Sequence, residues 1–108
     1  MKLIMAVVQD IDADTAIKAL VKAGHRVTRI ASTGGFFRQG NTTFMTGVED
    51  EQVDEVLTIL RRTCSRRTRL LPASPDPVEP ATMWTATVEV PVGGATVFVV
   101  DVERFEQI

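Results

Sequence analysis

The fold is decided at residues 2–10, K-L-I-M-A-V-V-Q-D, where an apolar and partly β-branched run ends at Gln9 and Asp10. A run of this length and composition is typical of a buried strand. A similar stretch, T-F-M-T-G-V-E-D, occupies residues 43–50 and also precedes a helical pattern. The chain therefore contains two strand–helix units that resemble an imperfect architectural duplication.

Two amphipathic helices follow these strands. Asp12 is expected to cap the first helix, and Gly24 is expected to end it. The second helix begins in the acidic run at residues 49–52 and ends among arginines, which suits the helix dipole. Its apolar residues recur at helical spacing and predict one buried stripe. That stripe consists of Val53, Val56, Leu57, Leu60 and Cys64.

Further strands are predicted at residues 26–33 and 42–48. Residues 65–85 contain four prolines within nine positions, Pro72 to Pro80, so we predict a long mobile loop there. Next, T-A-T-V-E-V-P-V alternates between apolar and polar residues, and its valines are expected to face the core. They are Val88, Val90 and Val92.

The pair Gly93-Gly94 predicts a two-residue hairpin turn into a last strand, A-T-V-F-V-V-D-V. The whole pattern predicts an α+β fold: a ferredoxin-like βαββαβ sandwich with an antiparallel sheet, a long loop at 65–85 and a C-terminal hairpin. Residues 1–108 are expected to form one domain. An open α/β layer would need more helices than the chain supplies.

Composition excludes several classes of function. The chain has 12 basic and 14 acidic residues, and a net charge of −2 argues against a general nucleic-acid coat. Its one cysteine, Cys64, cannot form an internal disulfide, which fits a cytoplasmic protein. No apolar run approaches the roughly 20 residues of a membrane span, so we expect no membrane insertion. No cysteine or histidine spacing indicates a metal, and no cofactor or catalytic base is predicted.

The glycine-rich stretch S-T-G-G-F-F-R-Q-G-N-T-T-F, residues 32–44, is the main candidate site. It nearly matches a phosphate-binding loop, but Asn41 replaces the essential lysine and the stretch joins two strands. Its glycines can still gather amides around an anion. Phe36 and Phe37 offer stacking faces, and Asn41 suits an adenine edge. A plain glycine-rich hairpin loop with a phenylalanine in the core is the alternative.

Two basic features are also candidates. Arg26 and Thr28 lie two apart on a predicted strand, where a guanidinium and a hydroxyl can hold a phosphate. An exposed strand face explains the same pair. The run R-R-T-C-S-R-R-T-R, residues 61–69, either attracts phosphate or an acidic partner or is a solvated helix end. His25 is expected at the surface, and Cys64 is expected to be a buried structural thiol.

The sequence resembles the PII-like cyclic di-AMP receptor proteins. The resemblance rests on M-K-L-I-M-A-V-V-Q-D, A-S-T-G-G-F-F-R-Q-G-N-T-T-F, V-D-E-V-L-T-I-L and V-E-V-P-V-G-G-A-T-V-F-V-V, in that order over nearly the whole chain. It implies a ferredoxin-like subunit in a homotrimer that binds cyclic di-AMP between subunits. It also implies a signal receptor without catalysis, whose reordered loops address an unknown downstream protein.

The resemblance also implies roles for individual residues. Arg26 and Thr28 would hold a phosphate, Asn41 would read an adenine edge, and Gly47 would allow close approach. The remaining implied contacts are Gly35, Phe36, Phe37, Phe98 and Gln107. Position 37 is often leucine in the family, and position 24 can be an asparagine that touches ligand. An ATP- and metabolite-sensing PII protein, or a structural trimer with a decayed site, are the competing interpretations.

Overall fold

The structure, a computed structural model, describes residues 1–32, 40–72 and 87–108. The strands are β1 (Lys2–Gln9), β2 (Thr28–Ser32), β3 (Asn41–Val48), β4 (Arg67–Pro72), β5 (Thr87–Val92) and β6 (Ala95–Asp101). The helices are α1 (Asp10–Lys22) and α2 (Val53–Cys64), the latter preceded by a 3₁₀ turn at Asp50–Gln52. The strand–helix–strand–strand–helix order predicted for the first part of the chain is confirmed.

The main sheet has four antiparallel strands in the order β2-β3-β1-β6. Strand β1 lies inside the sheet, which explains why its sequence is nearly continuously apolar. Both helices pack on one face, against Ile4, Ala6 and Val8 of β1 and Phe44 of β3. The predicted α+β, ferredoxin-like class is confirmed, with β6 as the fourth strand of the sheet.

The predicted stripe of α2 is confirmed in part: Val53 and Leu57 are only partly buried, and Ile59, which lies outside the predicted stripe, is buried. Ala13, Ala16 and Leu20 of α1 are buried, and so are Val56, Ile59, Leu60 and Cys64 of α2. Helix α1 ends at Lys22, and Gly24 follows with φ +96 and donates its N–H to the Val21 carbonyl at 3.0 Å. The predicted helix stop at Gly24 is confirmed.

The predicted C-terminal hairpin is wrong. Strand β6 pairs with β1, whereas β5 pairs antiparallel with β4. Gly93 and Gly94 do have positive φ, +85 and +90, but they carry the chain from one sheet into another. A pair of glycines indicates that the backbone has positive φ. Such backbone occurs in links between two sheets as well as in hairpin turns.

Part of the predicted loop at 65–85 is a strand. Residues 67–72 form β4, which pairs with β5 from Arg67↔Val92 to Pro72↔Thr87. This two-stranded ribbon is inserted between α2 and β6; the rest of the predicted loop, from residue 73, lies outside the described residues. Because the ribbon lies outside the main sheet, Val88 is exposed and only Val92 of the three valines is buried.

Two local predictions are also wrong. Asp12 does not cap α1, which begins at Asp10 without a side-chain cap; Asp12 is buried and pairs with Arg67. His25 is buried, with its Nε2 3.3 Å from Glu55 Oε1. Both side chains point inward because α1 packs against the second half of the chain, a contact that spacing along the sequence does not reveal.

Candidate functional site

The sheet has a second face that carries no helix. Strand alternation and the pairing register define it, because Thr28, Met45, Met5 and Phe98 stand directly beside one another across the four strands. We call this surface the helix-free face. Its described members are Leu3, Met5, Val7, Gln9, Thr28, Ile30, Asn41, Thr43, Met45, Gly47, Thr96, Phe98 and Val100.

Four of the predicted contact residues lie on the helix-free face: Thr28, Asn41, Gly47 and Phe98. Arg26 is exposed and lies just before β2. Gln107 is exposed in the segment after β6. Gly35, Phe36 and Phe37 lie outside the described residues.

These four residues span the face and do not converge on one point. Thr28 and Phe98 are on the two edge strands, three strand spacings apart, which is about 14 Å. Asn41 stands four positions from Met45, the partner of Thr28, and so about 13 Å along the strand. One subunit therefore offers a single broad wall with polar groups at its margins.

Asn41 is held at the junction between the glycine-rich segment and β3. It is 4% exposed and stands opposite Gln9. Its neighbours are fixed by Asp10, which accepts a hydrogen bond from Thr42 Oγ1 at 2.6 Å and donates its N–H to the Gly40 carbonyl at 2.9 Å. A Cβ at Gly40 would lie 2.3 Å from Asp10 Oδ2, so a larger residue there would displace the carboxylate that accepts the Thr42 hydrogen bond.

Gly40 precedes β3 and Gly47 lies near its end, and the space around the two glycines differs. Gly47 is exposed, and a Cβ added there would meet no atom within 4 Å. The described part of the subunit therefore gives no packing reason for a glycine at position 47. Nearby on the same face, Ile30, Phe98 and Val100 remain 38%, 48% and 53% exposed. An apolar surface of this kind is characteristic of an interaction site.

The whole chain, residues 1–108, matches the family model of the cyclic di-AMP receptors. The chain belongs to the cyclic di-AMP receptor family. A crystal structure of a functionally unknown protein from Pediococcus pentosaceus is similar over 99% of this chain and 96% of that one, with 38% identity and a TM-score of 0.79. The family is one of signal receptors, so a binding and signalling role is supported.

In this receptor-family chain, a half-buried ion pair stands beside the junction. Arg67 donates to both carboxylate oxygens of Asp12, at 2.7 and 3.2 Å, and to the Ser65 carbonyl at 3.0 Å. The hydrogen bond to Asp12 raises the pKa of Arg67 above its already high ordinary value. The Asp12 side chain is buried, whereas the Arg67 side chain is 41% exposed, so solvent reaches the guanidinium side of the pair.

Sequence reasoning missed Gln9, Asp10, Asp12 and Arg67 as members of one cluster. Arg67 was visible only as one arginine in the basic run, and the acidic residues only as helix-start charges. The contacts of Gln9 and Asp12 join residues at least 55 positions apart in sequence. Those of Asp10 join residues at least 30 positions apart. No motif spacing encodes such contacts; only the strand pairing brings these residues together.

Part of the basic run lines a half-open pocket of about 400 Å³ between α2 and the start of β6. Leu57, Cys64 and Val97 line it, with Arg61 and Arg66 at its margin. Cys64 is buried, as predicted, and burial raises the pKa of its thiol. Arg61 and Arg66 form no ion pair with the described residues.

The described part of the chain contains neither a metal-binding cluster nor a membrane-spanning helix. Within residues 1–32, 40–72 and 87–108, no cluster of three histidine, cysteine or acidic side chains could hold a metal ion. No helix among those residues is long and apolar enough to cross a membrane.

Proposed function

We propose that this protein is a cytoplasmic receptor that binds cyclic di-AMP between the subunits of a homotrimer and signals to a partner protein. The observation that carries the proposal is the placement of Thr28, Asn41, Gly47 and Phe98 on one open sheet face. The chain's membership in the cyclic di-AMP receptor family supplies the ligand. No catalytic step and no cofactor are part of this function.

The chemistry of these side chains suits a cyclic dinucleotide. Arg26 is exposed two residues before Thr28, the first residue of β2, so a guanidinium and a hydroxyl are available close together for one phosphate. Asn41 offers both an amide donor and an acceptor, which matches the edge of adenine. Phe98 presents an aromatic surface to a base, and such stacking contributes about 1–3 kcal/mol.

A second and third subunit would complete this site. A flat face exposes a bound molecule to solvent on one side, whereas small-molecule sites enclose most of the ligand surface. The half-exposed Ile30, Phe98 and Val100 give copies of this chain an apolar surface to bury against one another. Gly47 leaves room for a neighbouring backbone or ligand to approach β3 closely.

Calorimetric titration tests this function directly. We expect saturable binding of cyclic di-AMP at about one molecule per subunit, and much weaker binding of cyclic di-GMP. Separate titrations with ATP and 2-oxoglutarate distinguish a metabolite sensor, since a receptor of the proposed kind gives no comparable heat with either. A ligand-free trimer that shows no heat with any nucleotide contradicts the proposal.

Two substitutions test the residues. Arg26→Ala and Asn41→Ala should each weaken cyclic di-AMP binding by about 1–3 kcal/mol, because each leaves a polar ligand group unpaired. Arg62→Ala is the matched control, since Arg62 is an exposed arginine on α2 that forms no ion pair with the described residues. Unchanged affinity in both test variants rejects the assigned site.

A further inference from the structure

The described end of the glycine-rich segment, residues 40–44, and the β4–β5 ribbon both adjoin one end of β1. Strand β1 ends at Gln9, opposite Asn41, the first residue of β3 after the glycine-rich segment. On the other side of β1, Val8 stands opposite Ala95, the first residue of β6 after the ribbon. Both segments therefore rejoin the sheet on either side of the same two residues.

Asp10 holds the first of these segments. Its backbone N–H binds the Gly40 carbonyl at 2.9 Å, and its carboxylate accepts from Thr42 Oγ1 at 2.6 Å. The residues on both sides of Asn41 are thus tied to the start of α1. Any displacement of Asn41 along β3 must move or break these two hydrogen bonds.

Gln9 and Asp12 hold the ribbon. Gln9 Oε1 accepts the Gly93 N–H at 2.5 Å, at the end of β5. Asp12 binds both terminal nitrogens of Arg67, at the beginning of β4. Each strand of the ribbon therefore has its own anchor. Both anchors come from the same four residues that include Asp10: the last residue of β1 and the first three of α1.

The attachment at Gly93 is tightly packed, since a Cβ there would stand 2.2 Å from the Ser65 carbonyl oxygen. In close-packed regions a displacement is passed to the neighbouring groups and is not absorbed locally. Gly40 is exposed, and its link to the rest of the subunit is the pair of hydrogen bonds around Asp10. The residues between the two attachments are the end of a central strand and the first turn of a helix, which form one continuous stretch of hydrogen-bonded backbone.

We infer that the turn Gln9–Asp12 couples the two segments, with Gln9, Asp10 and Asp12 acting as positioning residues. Cyclic di-AMP binding at Asn41 is thereby transmitted to the ribbon. The ligand-dependent half of this inference rests on the proposed function. The coupling itself is a property of the ligand-free chain, and it acts in both directions.

Hydrogen exchange of the ligand-free protein tests the coupling alone. Arg67→Gln removes the bidentate contact with Asp12, and Arg66→Gln changes the adjacent exposed arginine as the matched control. We expect Arg67→Gln to accelerate exchange in residues 40–44 as well as in 67–72 by at least about threefold, with exchange in α2 unchanged. Arg67→Lys, which keeps one charged contact, should recover part of the protection.

A purely structural role of Arg67 gives a different pattern. It would accelerate exchange only within the ribbon, or uniformly in every element including α2. Either pattern overturns the inference, and so does an effect of Arg66→Gln as large as that of Arg67→Gln. None of these outcomes depends on a ligand, so they leave the proposed receptor function standing.

Adding cyclic di-AMP tests transmission. In the unmodified protein, ligand should slow exchange in β4 and β5. In Arg67→Gln, whose position in β4 lies outside the helix-free face, that slowing should largely vanish while affinity stays within about fivefold. Slowing that persists undiminished in Arg67→Gln, or that is absent in the unmodified protein despite binding, overturns transmission. Failure of the unmodified protein to bind contradicts the proposed function instead, and the ligand-free comparison still decides the coupling.

Discussion

At the scale of single residues, Gly40 and Gly47 have different surroundings. Gly40 lies against the Asp10 carboxylate, which a Cβ would displace, whereas Gly47 faces open space within the described part of the subunit. The first glycine thus keeps the hydrogen bonds of Asp10 in place. The second is free to serve contacts made by a ligand or by another copy.

We predict that Gly40→Ala lowers the free energy of unfolding by about 0.5–1.5 kcal/mol, because the new methyl group displaces the Asp10 carboxylate and breaks its hydrogen bond with Thr42. Gly47→Ala should change ligand-free stability by no more than about 0.5 kcal/mol, yet weaken cyclic di-AMP binding. Urea titrations and calorimetry measure the two effects. Equal destabilisation by both substitutions argues against this distinction.

Cys64 provides a prediction about reactivity. Burial raises the pKa of its thiol, so the neutral form is favoured in the folded state. The stability that this protonated thiol contributes is present at neutral pH. It is lost as pH rises from the unfolded-state pKa through the raised folded-state pKa.

A thiol-specific reagent should therefore react with Cys64 at least about tenfold more slowly in the folded protein than in urea, at the same mildly alkaline pH. The measurement is the rate of chromophore release, with Cys64→Ala as the blank. Reaction at the unfolded rate under native conditions shows that the thiol is accessible and contradicts its assigned burial.

At the scale of secondary-structure elements, the link between the ribbon and the main sheet is the most constrained connection. Gly93 has φ +85 and lies against the Ser65 carbonyl, while the Gly94 N–H binds the Cys64 carbonyl. The end of α2 and the start of β6 are thus joined directly. This contact turns the chain out of the ribbon and back into the sheet.

Two alanine substitutions separate the cost of backbone conformation at Gly93 from the cost of steric crowding. Gly24 and Gly93 both have positive φ, but a Cβ at Gly24 meets nothing within 4 Å. Gly24→Ala should cost about 1–2 kcal/mol of stability from backbone conformation alone. Gly93→Ala should cost clearly more, since its methyl group would also strike backbone atoms. Urea unfolding measures both, and equal costs contradict the crowding inferred at Gly93.

The same elements show what the sequence could reveal. Periodicity predicted β1, β3 and both helices because burial on one face is recorded locally along the chain. It did not predict that β6 pairs with β1, since that pairing joins residues at opposite ends of the chain. Proline density concealed β4, although a two-stranded ribbon has only edge strands, where Pro72 and Pro91 are tolerated.

The candidate site was predictable to a similar extent. Asn41 could be selected from its glycine-rich surroundings, and Phe98 and Gln107 only from resemblance to the family. That Asn41 and Phe98 share a face with Thr28 follows from strand register, which the sequence does not state. The Asp12–Arg67 pair was hidden because it depends on where the ribbon leaves the sheet.

At the scale of the whole molecule, the assembly that we propose uses the helix-free face. Phe98 and Val99 are neighbours on β6 with similar exposure, 48% and 43%, but their side chains lie on opposite faces of the sheet. Phe98→Glu should dissociate the proposed trimer, because a charge would be buried between subunits. Val99→Glu should leave it intact. Light scattering after size-exclusion chromatography gives the masses, and a monomer from Val99→Glu alone would place the interface elsewhere.

The central claim is that several copies of this chain together enclose cyclic di-AMP, and native mass spectrometry tests it most directly because it reads assembly and occupancy at once. With excess cyclic di-AMP, we predict a trimer whose mass increases in steps up to three ligands, and no such steps with cyclic di-GMP at the same concentration. A monomer, or a trimer that retains its ligand-free mass in cyclic di-AMP, would contradict the account.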